Sequence, residues 1–228
     1  MKSVKLGYLI SRYPSVSYTF ILREVLFLRD AGFDIRVASI NTPDRPSEQL
    51  TAEEHTEAAN TFCVKTAGVG CLPRAMLGAL TRHPGGCLRG LLFSLRLGGF
   101  DLRRILYGIF YFAEALLVGD WMEQEGLVHL HVHFATPAAT VALIAATVFA
   151  VRYSITVHGP DEFYDVPGYQ LAEKIAGVSF ICTIGKFARS QLMKSLLRAT
   201  GRSSKSRRWA SIPNVSGRGG KAFSIFSK

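Results

Sequence analysis

The chain has 228 residues, of which 48% are apolar and 19% charged. This composition is typical of one sizeable α/β domain, or at most two small ones, and excludes a disordered or fibrous chain. The net charge of +10 would indicate an anionic partner, but eight of the Lys and Arg residues follow position 197 and no acidic residue follows Glu173, so residues 1 to 197 carry only +2.

The first forty residues predict a strand, a helix and a second strand. Residues 4 to 10 form an apolar run typical of a short buried strand. Ser17 stands where a helix N-cap is expected, and Gly32 supplies the C-terminal stop. Residues 34 to 40 have the β-branched, alternating character of a strand, so this segment is one βαβ unit.

Residues 71 to 121 are helical in composition and are interrupted at Pro73, at 84 to 86 and at 98 to 99, which predicts three helices. Arg82, Arg89, Arg96 and Arg103 recur every seven residues in this region. They form either a solvated face or a basic surface lying against anionic headgroups, because leucines lie between them. A bend at 98 to 99 would turn Arg103 away from the other three.

Two apolar stretches, 105 to 119 and 138 to 151, are shorter than the roughly 20 residues that a membrane-spanning helix needs. We therefore expect both to be buried core helices.

The second half alternates strands at 128 to 134, 153 to 157 and 178 to 184 with helices at 137 to 150, 170 to 176 and 186 to 197. This alternation predicts an α/β fold, a Rossmann-like and mostly parallel sheet with helices on both faces, over residues 1 to 197. Residues 198 to 228 are rich in Arg, Lys, Ser and Gly, and we expect a basic, disordered tail. Ligands of such sheets bind at the carboxyl ends of the strands.

Three histidines, His129, His131 and His133, lie on one side of a predicted strand, about 6 to 7 Å apart. Adjacent members could share a metal ion. A strand alone supplies no ligand from a third direction, and the other promising donors are His158 and Asp161. We therefore expect histidines that hydrogen-bond to their neighbours, and no metal site.

The segment from His158 to Phe163 follows an apolar strand and is the best candidate site. An exposed imidazole at a strand end can reach a ligand, and Gly159 lets the backbone approach it closely. The same Gly159, Pro160 and Asp161 also make an ordinary turn. From geometry alone, the functional and the structural interpretation are equal.

Ser17, Tyr18 and Thr19 lie at the predicted start of the first helix, where unpaired backbone N–H groups favour a phosphate or carboxylate. The chain has no G-x-G-x-x-G and no G-x-x-x-x-G-K-[ST], so it has neither a dinucleotide fingerprint nor a P-loop. A G-x-S-x-G nucleophile elbow is also absent.

The four cysteines form no C-x-x-C pair and are expected to be free thiols; they are Cys63, Cys71, Cys87 and Cys182. The apolar opening of the chain is broken by Lys5 and closed by Arg12, so no secretory signal is predicted. Both features are typical of a protein in the reducing cytoplasm.

Four segments in order resemble family 4 glycosyltransferases of the bacterial exopolysaccharide and colanic-acid type. The first reads S-R-Y-P-S-V-S-Y-T-F-I over 11 to 21 and continues to Glu24 and Leu28. The second is H-V-H-F-A at 131 to 135, and the third is S-I-T-V-H-G-P-D-E-F at 154 to 163. The fourth covers 181 to 193, so the resemblance extends over residues 4 to about 195.

This resemblance implies the GT-B architecture, in which two Rossmann-like halves face each other across a cleft, with this chain as the acceptor-side half. It implies that His158 touches the transferred sugar and that Ser17 to Thr19 border the donor phosphates. The substrate-binding set is completed by His133, Phe134, Gly159 and Asp161.

Members of the family transfer a sugar from a nucleotide-sugar to a saccharide, often lipid-linked, with retention of configuration. The resemblance implies no required metal and no cofactor besides the nucleotide-sugar substrate. The free cysteines and the lack of a predicted secretory signal indicate a cytoplasmic protein, and the apolar stretches and arginine-bearing helices leave peripheral contact with the inner face of the cell membrane open.

The chain departs from the family after residue 197, where nothing resembles the donor-binding half with its paired glutamates (E-x7-E). We therefore expect a truncated fragment whose independent activity is open. The alternative is a non-catalytic module that uses its arginine-bearing helices and basic tail to bind a membrane or nucleic acid. No specific nucleic acid is expected under the glycosyltransferase interpretation.

Overall fold

The structure is a computed structural model that describes residues 4 to 99, 101 to 164, 170 to 200 and 224 to 227. At positions 69, 160, 161, 196 to 200 and 224 to 227 it describes the backbone alone. The described strands are β1 (Lys5–Arg12), β2 (Asp34–Asn41), β3 (Phe62–Cys63), β4 (His129–His133), β5 (Arg152–Val157), β6 (Phe180–Thr183) and β7 (Ser224–Ser227).

Eight α-helices connect these strands within the described ranges. They are α1 (Thr19–Asp30), α2 (Ala52–Asn60), α3 (Val64–Arg82), α4 (Pro84–Leu97), α5 (Leu102–Glu125), α6 (Pro137–Phe149), α7 (Leu171–Gly177) and α8 (Lys186–Thr200). Three short 3-10 turns lie at Val16–Tyr18, Ser47–Gln49 and Pro160–Phe163. The predicted order of strands and helices is confirmed, and β3 and β7 are additions.

The sheet has the order β3-β2-β1-β4-β5-β6-β7. Its first six strands are parallel, and β7 pairs antiparallel with β6. The predicted Rossmann-like α/β fold is therefore confirmed. The chain winds outward from β1 to β3 and then returns to β4 on the other side of β1, so the topological switch point lies between β1 and β4.

Two separate apolar clusters cover the two faces of the sheet. The larger one joins buried residues of β1, β4, β5 and β6 to helices α3 to α8. The smaller one joins β1 and β2 to α1 through Ile21 and Val25, which are fully buried. The sheet is thus covered densely on one face, and α1 covers β1 and β2 on the other.

The two apolar stretches differ in burial. Helix α6 is buried at ten of its 13 residues, as predicted for a core helix. Helix α5 is buried from Ala115 to Met122 but exposes Leu102, Leu106 and Phe110 near its start. Among the described residues, α5 is the one helix long and apolar enough to cross a membrane, and half of its apolar window is buried inside the protein.

The seven-residue arginine pattern does not form a stripe on one helix. Arg82 ends α3, Arg89 and Arg96 lie on α4, and Arg103 lies on α5. The chain breaks after Leu97 because Gly99 adopts a left-handed conformation with φ of 58°. The regular spacing in the sequence therefore spans three helices.

The helix predicted at 186 to 197 extends further than expected. Helix α8 continues to Thr200, and Ser224–Ser227 forms a strand inside the segment that was predicted to be disordered. The irregular composition of the tail hid this four-residue strand. Residues 201 to 223, the rest of the predicted tail, lie outside the described residues.

Candidate functional site

The candidate site lies at the switch point, where the segments that follow β1, β4 and β5 leave the same edge of the sheet. The first two segments are linked by Ser11 and Thr136, whose hydroxyl oxygens are 3.3 Å apart. The segments after β4 and β5 are linked because the Phe134 N–H donates to the Thr156 carbonyl at 2.9 Å. Three segments distant in sequence thus form one rim.

Four aromatic rings form the rim itself. The Phe134 ring lies 4.4 Å from the His158 ring and 5.0 Å from the Tyr18 ring, measured between centroids. Phe20 lies 4.9 Å from His158. The sequence analysis gave Phe20 no role in binding, although its exposed position as the second residue of α1 places it in the site.

Phe134 has a left-handed backbone with φ of 70°. This conformation is rare for a residue with a Cβ and costs about 1 to 3 kcal/mol. It directs the chain sharply out of β4 so that Phe134 reaches Tyr18 and His158. Strained backbone of this kind is concentrated at binding sites.

The rim is held in place by the carboxylate of Glu162, which is buried. It accepts hydrogen bonds from the backbone N–H groups of His158 at 2.6 Å, of Gly159 at 3.0 Å and of Ala135. Burial raises the pKa of Glu162, although the three N–H donors and the nearby Lys174 act against this shift. Glu162 thereby joins the segments that follow β4 and β5.

Lys174 of α7 fixes the other side of the same segment. Its ammonium group is almost fully buried and donates to the carbonyls of Ala135 at 2.8 Å and Thr136 at 2.9 Å. Burial lowers the pKa of Lys174 to about 7, against the opposing charge of Glu162. Sequence reasoning missed both residues because a charge in an amphipathic helix or a turn is normally solvated.

His158 heads a chain of polar groups that runs beneath the rim. Its Nε2 lies 3.0 Å from Nδ1 of His133. The other ring nitrogen of His133, Nε2, lies 3.6 Å from Oε1 of Glu24, and that carboxylate accepts a hydrogen bond from the Tyr8 hydroxyl at 2.9 Å. His133 is fully buried and does not line the cavity, so the structure does not place this predicted binding residue in contact with a substrate there.

The two other histidines of β4 pair with hydroxyl groups of β5, as predicted. His129 lies 2.8 Å from the Ser154 hydroxyl, and His131 lies 2.7 Å from the same hydroxyl and 2.9 Å from that of Thr156. Burial lowers the pKa of His131 to about 3, with a further contribution from the neighbouring His133. His131 is therefore neutral in the physiological range.

The start of α1 differs from the prediction. Ser17 is not an N-cap, because the 3-10 turn Val16–Tyr18 precedes α1 and Tyr18 makes no side-chain cap. Asp44 instead accepts hydrogen bonds from the Ser15 hydroxyl at 2.8 Å and the Val16 N–H at 2.9 Å. This carboxylate comes from a segment 28 residues away, which is why sequence reasoning missed it.

The predicted binding residues Ser17 and Thr19 are exposed beside the rim, and Tyr18 is half-buried within it. Gly159 lies at the rim, and a Cβ added there would meet nothing within 4 Å. The backbone of Asp161 lies in the turn Pro160–Phe163. Its side chain, the predicted binding group, lies outside the described residues.

A cavity of about 1240 Å³ opens from the rim along the face of β4, β5 and β6 beside α1. Four of the predicted site residues line it, namely Ser17, Tyr18, Phe134 and His158. Arg23 of α1 contributes a cation, and Phe20 and Phe27 contribute apolar surface. The cavity has room for a ligand with an aromatic or sugar ring and a charged group.

Neither a protein-family model nor a curated protein matches the chain. The resemblance to family 4 glycosyltransferases therefore rests on the four sequence segments alone. Three of these segments carry the residues of the rim.

Proposed function

We propose that the chain is the acceptor-side domain of a retaining glycosyltransferase that transfers a sugar from a nucleotide-sugar to a saccharide or lipid-linked acceptor. The observation that supports the proposal is the convergence of Tyr18, Phe134 and His158 on one rim above a large cavity. Each of these residues lies in a different one of the sequence segments that carry the resemblance.

In this proposal, the bond between the anomeric carbon and the diphosphate oxygen breaks, and its electron pair stays on the departing nucleoside diphosphate. The oxygen of an acceptor hydroxyl forms the new bond to the anomeric carbon, and its proton passes to the departing diphosphate. His158 is the catalytic residue, because its half-exposed imidazole lines the cavity and can hydrogen-bond to the sugar. Holding the sugar in a reactive orientation lowers the entropic part of the barrier. The nucleotide-sugar is a substrate, and no further cofactor is invoked.

The surroundings of His158 support a positioning role. His133 contacts its ring at 3.0 Å, and Glu162 binds its backbone N–H at 2.6 Å. A side chain held at both ends is well placed for catalysis, since a group misplaced by about 1 Å loses much of its effect. Ser17 and Thr19, exposed beside the rim, would border the donor phosphates.

The proposal is tested by saturation-transfer NMR on the full chain with a panel of nucleotide-sugars and lipid-linked saccharides. We expect a signal from at least one nucleotide-sugar, and its loss in His158→Ala. The matched control is His55→Ala, which removes an exposed histidine on α2. A signal that persists unchanged in His158→Ala, or no signal from any nucleotide-sugar, contradicts the proposal.

A second observation favours contact with a membrane, which is also part of the proposed role in lipid-linked saccharide synthesis. Helices α4 and α5 expose large apolar side chains at one-turn spacing, and we call this set the apolar helix face. Its members are Leu88, Leu92, Leu102, Leu106 and Phe110, each more than half exposed. Contiguous exposed apolar residues mark interaction sites.

Arginines accompany the apolar helix face. Arg89 follows Leu88 and donates to a backbone carbonyl of its own helix, and Arg103 follows Leu102 and lies over the Tyr107 ring. Neither of these contacts neutralises a charge. Leucines flanked by cations are typical of helices that lie on anionic lipid, so we propose that this face docks on the cytoplasmic leaflet of the cell membrane.

Vesicle co-sedimentation tests the docking. We expect the chain to bind vesicles of phosphatidylglycerol and phosphatidylcholine, and the Leu102→Glu, Leu106→Glu double variant to lose most of that binding. A Val4→Glu, Tyr164→Glu variant adds the same charge at exposed positions outside the face and should bind normally. Equal binding by both variants would place the interaction elsewhere, such as in the basic tail.

A further inference from the structure

Three potential metal ligands come together beneath the rim. Glu24 extends from α1, and His131 and His133 extend from β4 on the same side of the strand. One ligand atom from each residue lies within 4.8 Å of the other two. The carboxylate approaches from the helix, and so it supplies the third direction that a strand alone lacks.

One atom of this group lacks a partner. Nε2 of His133 is buried and has no hydrogen-bond partner in the described part of the chain. Its distance of 3.6 Å from Glu24 Oε1 is too long for a hydrogen bond. Buried polar atoms are almost always paired, because an unpaired one costs free energy. The unpaired nitrogen faces a carboxylate, an arrangement that a cation between them would satisfy.

We propose that Glu24, His131 and His133 form a binding site for a divalent first-row transition metal of the Zn²⁺ type. Two imidazoles and one carboxylate are a common ligand set for zinc. Glu24 and His131 also line the cavity, so a further coordination position is open to water or to a ligand. The inference does not rest on the proposed glycosyl transfer, for which no metal is invoked.

The groups around the three residues are suited to this role. Nδ1 of His133 is paired with Nε2 of His158, and a histidine that ligates a metal usually uses its second nitrogen in this way. The Tyr8 hydroxyl orients Glu24 at 2.9 Å. His131 contacts the hydroxyls of Ser154 and Thr156, and either hydroxyl can rotate when one imidazole nitrogen turns to a metal.

A metal ion at this site would also affect the rim. A metal on Nε2 of His133 fixes its tautomer with the proton on Nδ1, which then donates to Nε2 of His158. The metal would thus act on His158 through one hydrogen bond, as a positioning element.

The test uses the metal-stripped full chain, titrated with Zn²⁺ by calorimetry and with Co²⁺ by visible absorption. We expect one equivalent to bind and the Co²⁺ spectrum to indicate four or five ligands. Glu24→Gln keeps an oxygen for the Tyr8 hydroxyl but weakens the ligand, so the affinity should fall by at least about tenfold. His133→Ala should abolish stoichiometric binding.

The matched control is His83→Ala, which breaks a different histidine–carboxylate pair, His83 with Glu123 at 2.7 Å. This variant should bind the metal as the unchanged chain does. His133→Ala removes a buried side chain and can unfold the protein, so folding is checked by circular dichroism before each titration. Glu24→Gln is therefore the deciding variant. No stoichiometric binding, or an affinity unchanged in Glu24→Gln, overturns the proposal.

Discussion

The two faces of β4 and β5 differ completely in chemistry, although they belong to the same ten or so residues. On the face toward α3, α5 and α6, both strands present fully buried aliphatic side chains. These are Leu130, Val132, Ile155 and Val157. On the opposite face, the alternate positions are polar, namely His129, His131, His133, Ser154 and Thr156.

This contrast shows how a parallel sheet can be both a core and a site. The aliphatic face is stabilised by burial, which requires no directional partner. On the polar face, each imidazole needs a partner. The parallel register brings the Ser154 hydroxyl to His129 and His131 and the Thr156 hydroxyl to His131, whereas His133 pairs with His158 beyond the end of β5. Among the described residues, the buried ring nitrogen that lacks a hydrogen-bond partner is Nε2 of His133, under the rim.

The largest loss of stability should come from a substitution on the aliphatic face. Leu130→Ala removes a fully buried side chain and should lower the free energy of unfolding by about 2 to 5 kcal/mol. Urea denaturation measures this value. His129→Ala, on the polar face of the same strand and only partly buried, is the matched change and should cost less than half as much. Equal losses would mean that the two faces are packed alike.

The second largest loss of stability should come from replacing Glu162, the carboxylate that holds the rim. Glu162→Gln replaces an acceptor of three backbone N–H groups and removes the negative charge near Lys174. We expect a loss of about 1 to 3 kcal/mol in unfolding free energy. Glu173→Gln, an exposed change of the same type on α7, should have almost no effect. If both variants unfold at the same urea concentration, Glu162 does not hold the rim.

The buried lysine gives a pH dependence that is specific to the rim. Burial lowers the pKa of Lys174 from 10.5 to about 7 in the folded state, despite the charges of Glu162 and Glu173. Between these two values the unfolded chain binds more protons than the folded one, so the contribution of Lys174 to stability rises with pH. It is least favourable below about pH 7, where both states are protonated.

This dependence is measured as the unfolding free energy from pH 7 to 9 in the unchanged chain and in Lys174→Met. The difference between the unfolding free energies of the unchanged chain and of Lys174→Met should change by up to about 1.4 kcal/mol per pH unit. Lys194→Met, an exposed change on α8, is the control for general charge effects. Parallel curves for the unchanged chain and Lys174→Met would show that this lysine titrates normally.

The smallest effect on stability should come from Gly159→Ala. A Cβ at this position meets nothing within 4 Å, so unfolding should change by less than about 0.5 kcal/mol. The added methyl group would project over the rim and should weaken nucleotide-sugar binding if the backbone approaches the ligand there. Gly70→Ala, also in open space but inside α3, should leave nucleotide-sugar binding unchanged and raise the free energy of unfolding by about 0.5 to 1 kcal/mol, because alanine favours the helix. Unchanged binding in Gly159→Ala would favour the interpretation as an ordinary turn.

The sequence predicts the strands and helices well because apolar periodicity is a local signal. It also identifies His158, Phe134 and Tyr18 as candidates, since these follow strands or begin a helix, and the structure places all three on one rim. It misses β3, because a pair such as Phe62–Cys63 is too short to show a period. It also places the cap of the first helix at Ser17, because it cannot foresee the approach of Asp44.

The sequence does not indicate the roles of Glu24 and Lys174, for one physical reason that the two residues share. Glu24 reaches His133 from a residue more than 100 positions away, and Lys174 reaches Ala135 from 39 positions away. In the sequence, both are charged residues within helices, and these are normally solvated. Only the packing of α1 and α7 against the sheet brings Glu24 beside His133 and buries Lys174, so tertiary structure decides their role.

Binding of a nucleotide-sugar at the rim, as we propose, is tested by backbone chemical-shift mapping on the labelled full chain. Titration with the nucleotide-sugar that binds best should shift the amide signals of Tyr18, Phe134, His158 and Gly159. Signals at the opposite end of the sheet, such as those of Gly126 and Leu127, should stay in place. Shifts confined to that opposite end, with the rim signals unmoved, would contradict the claim.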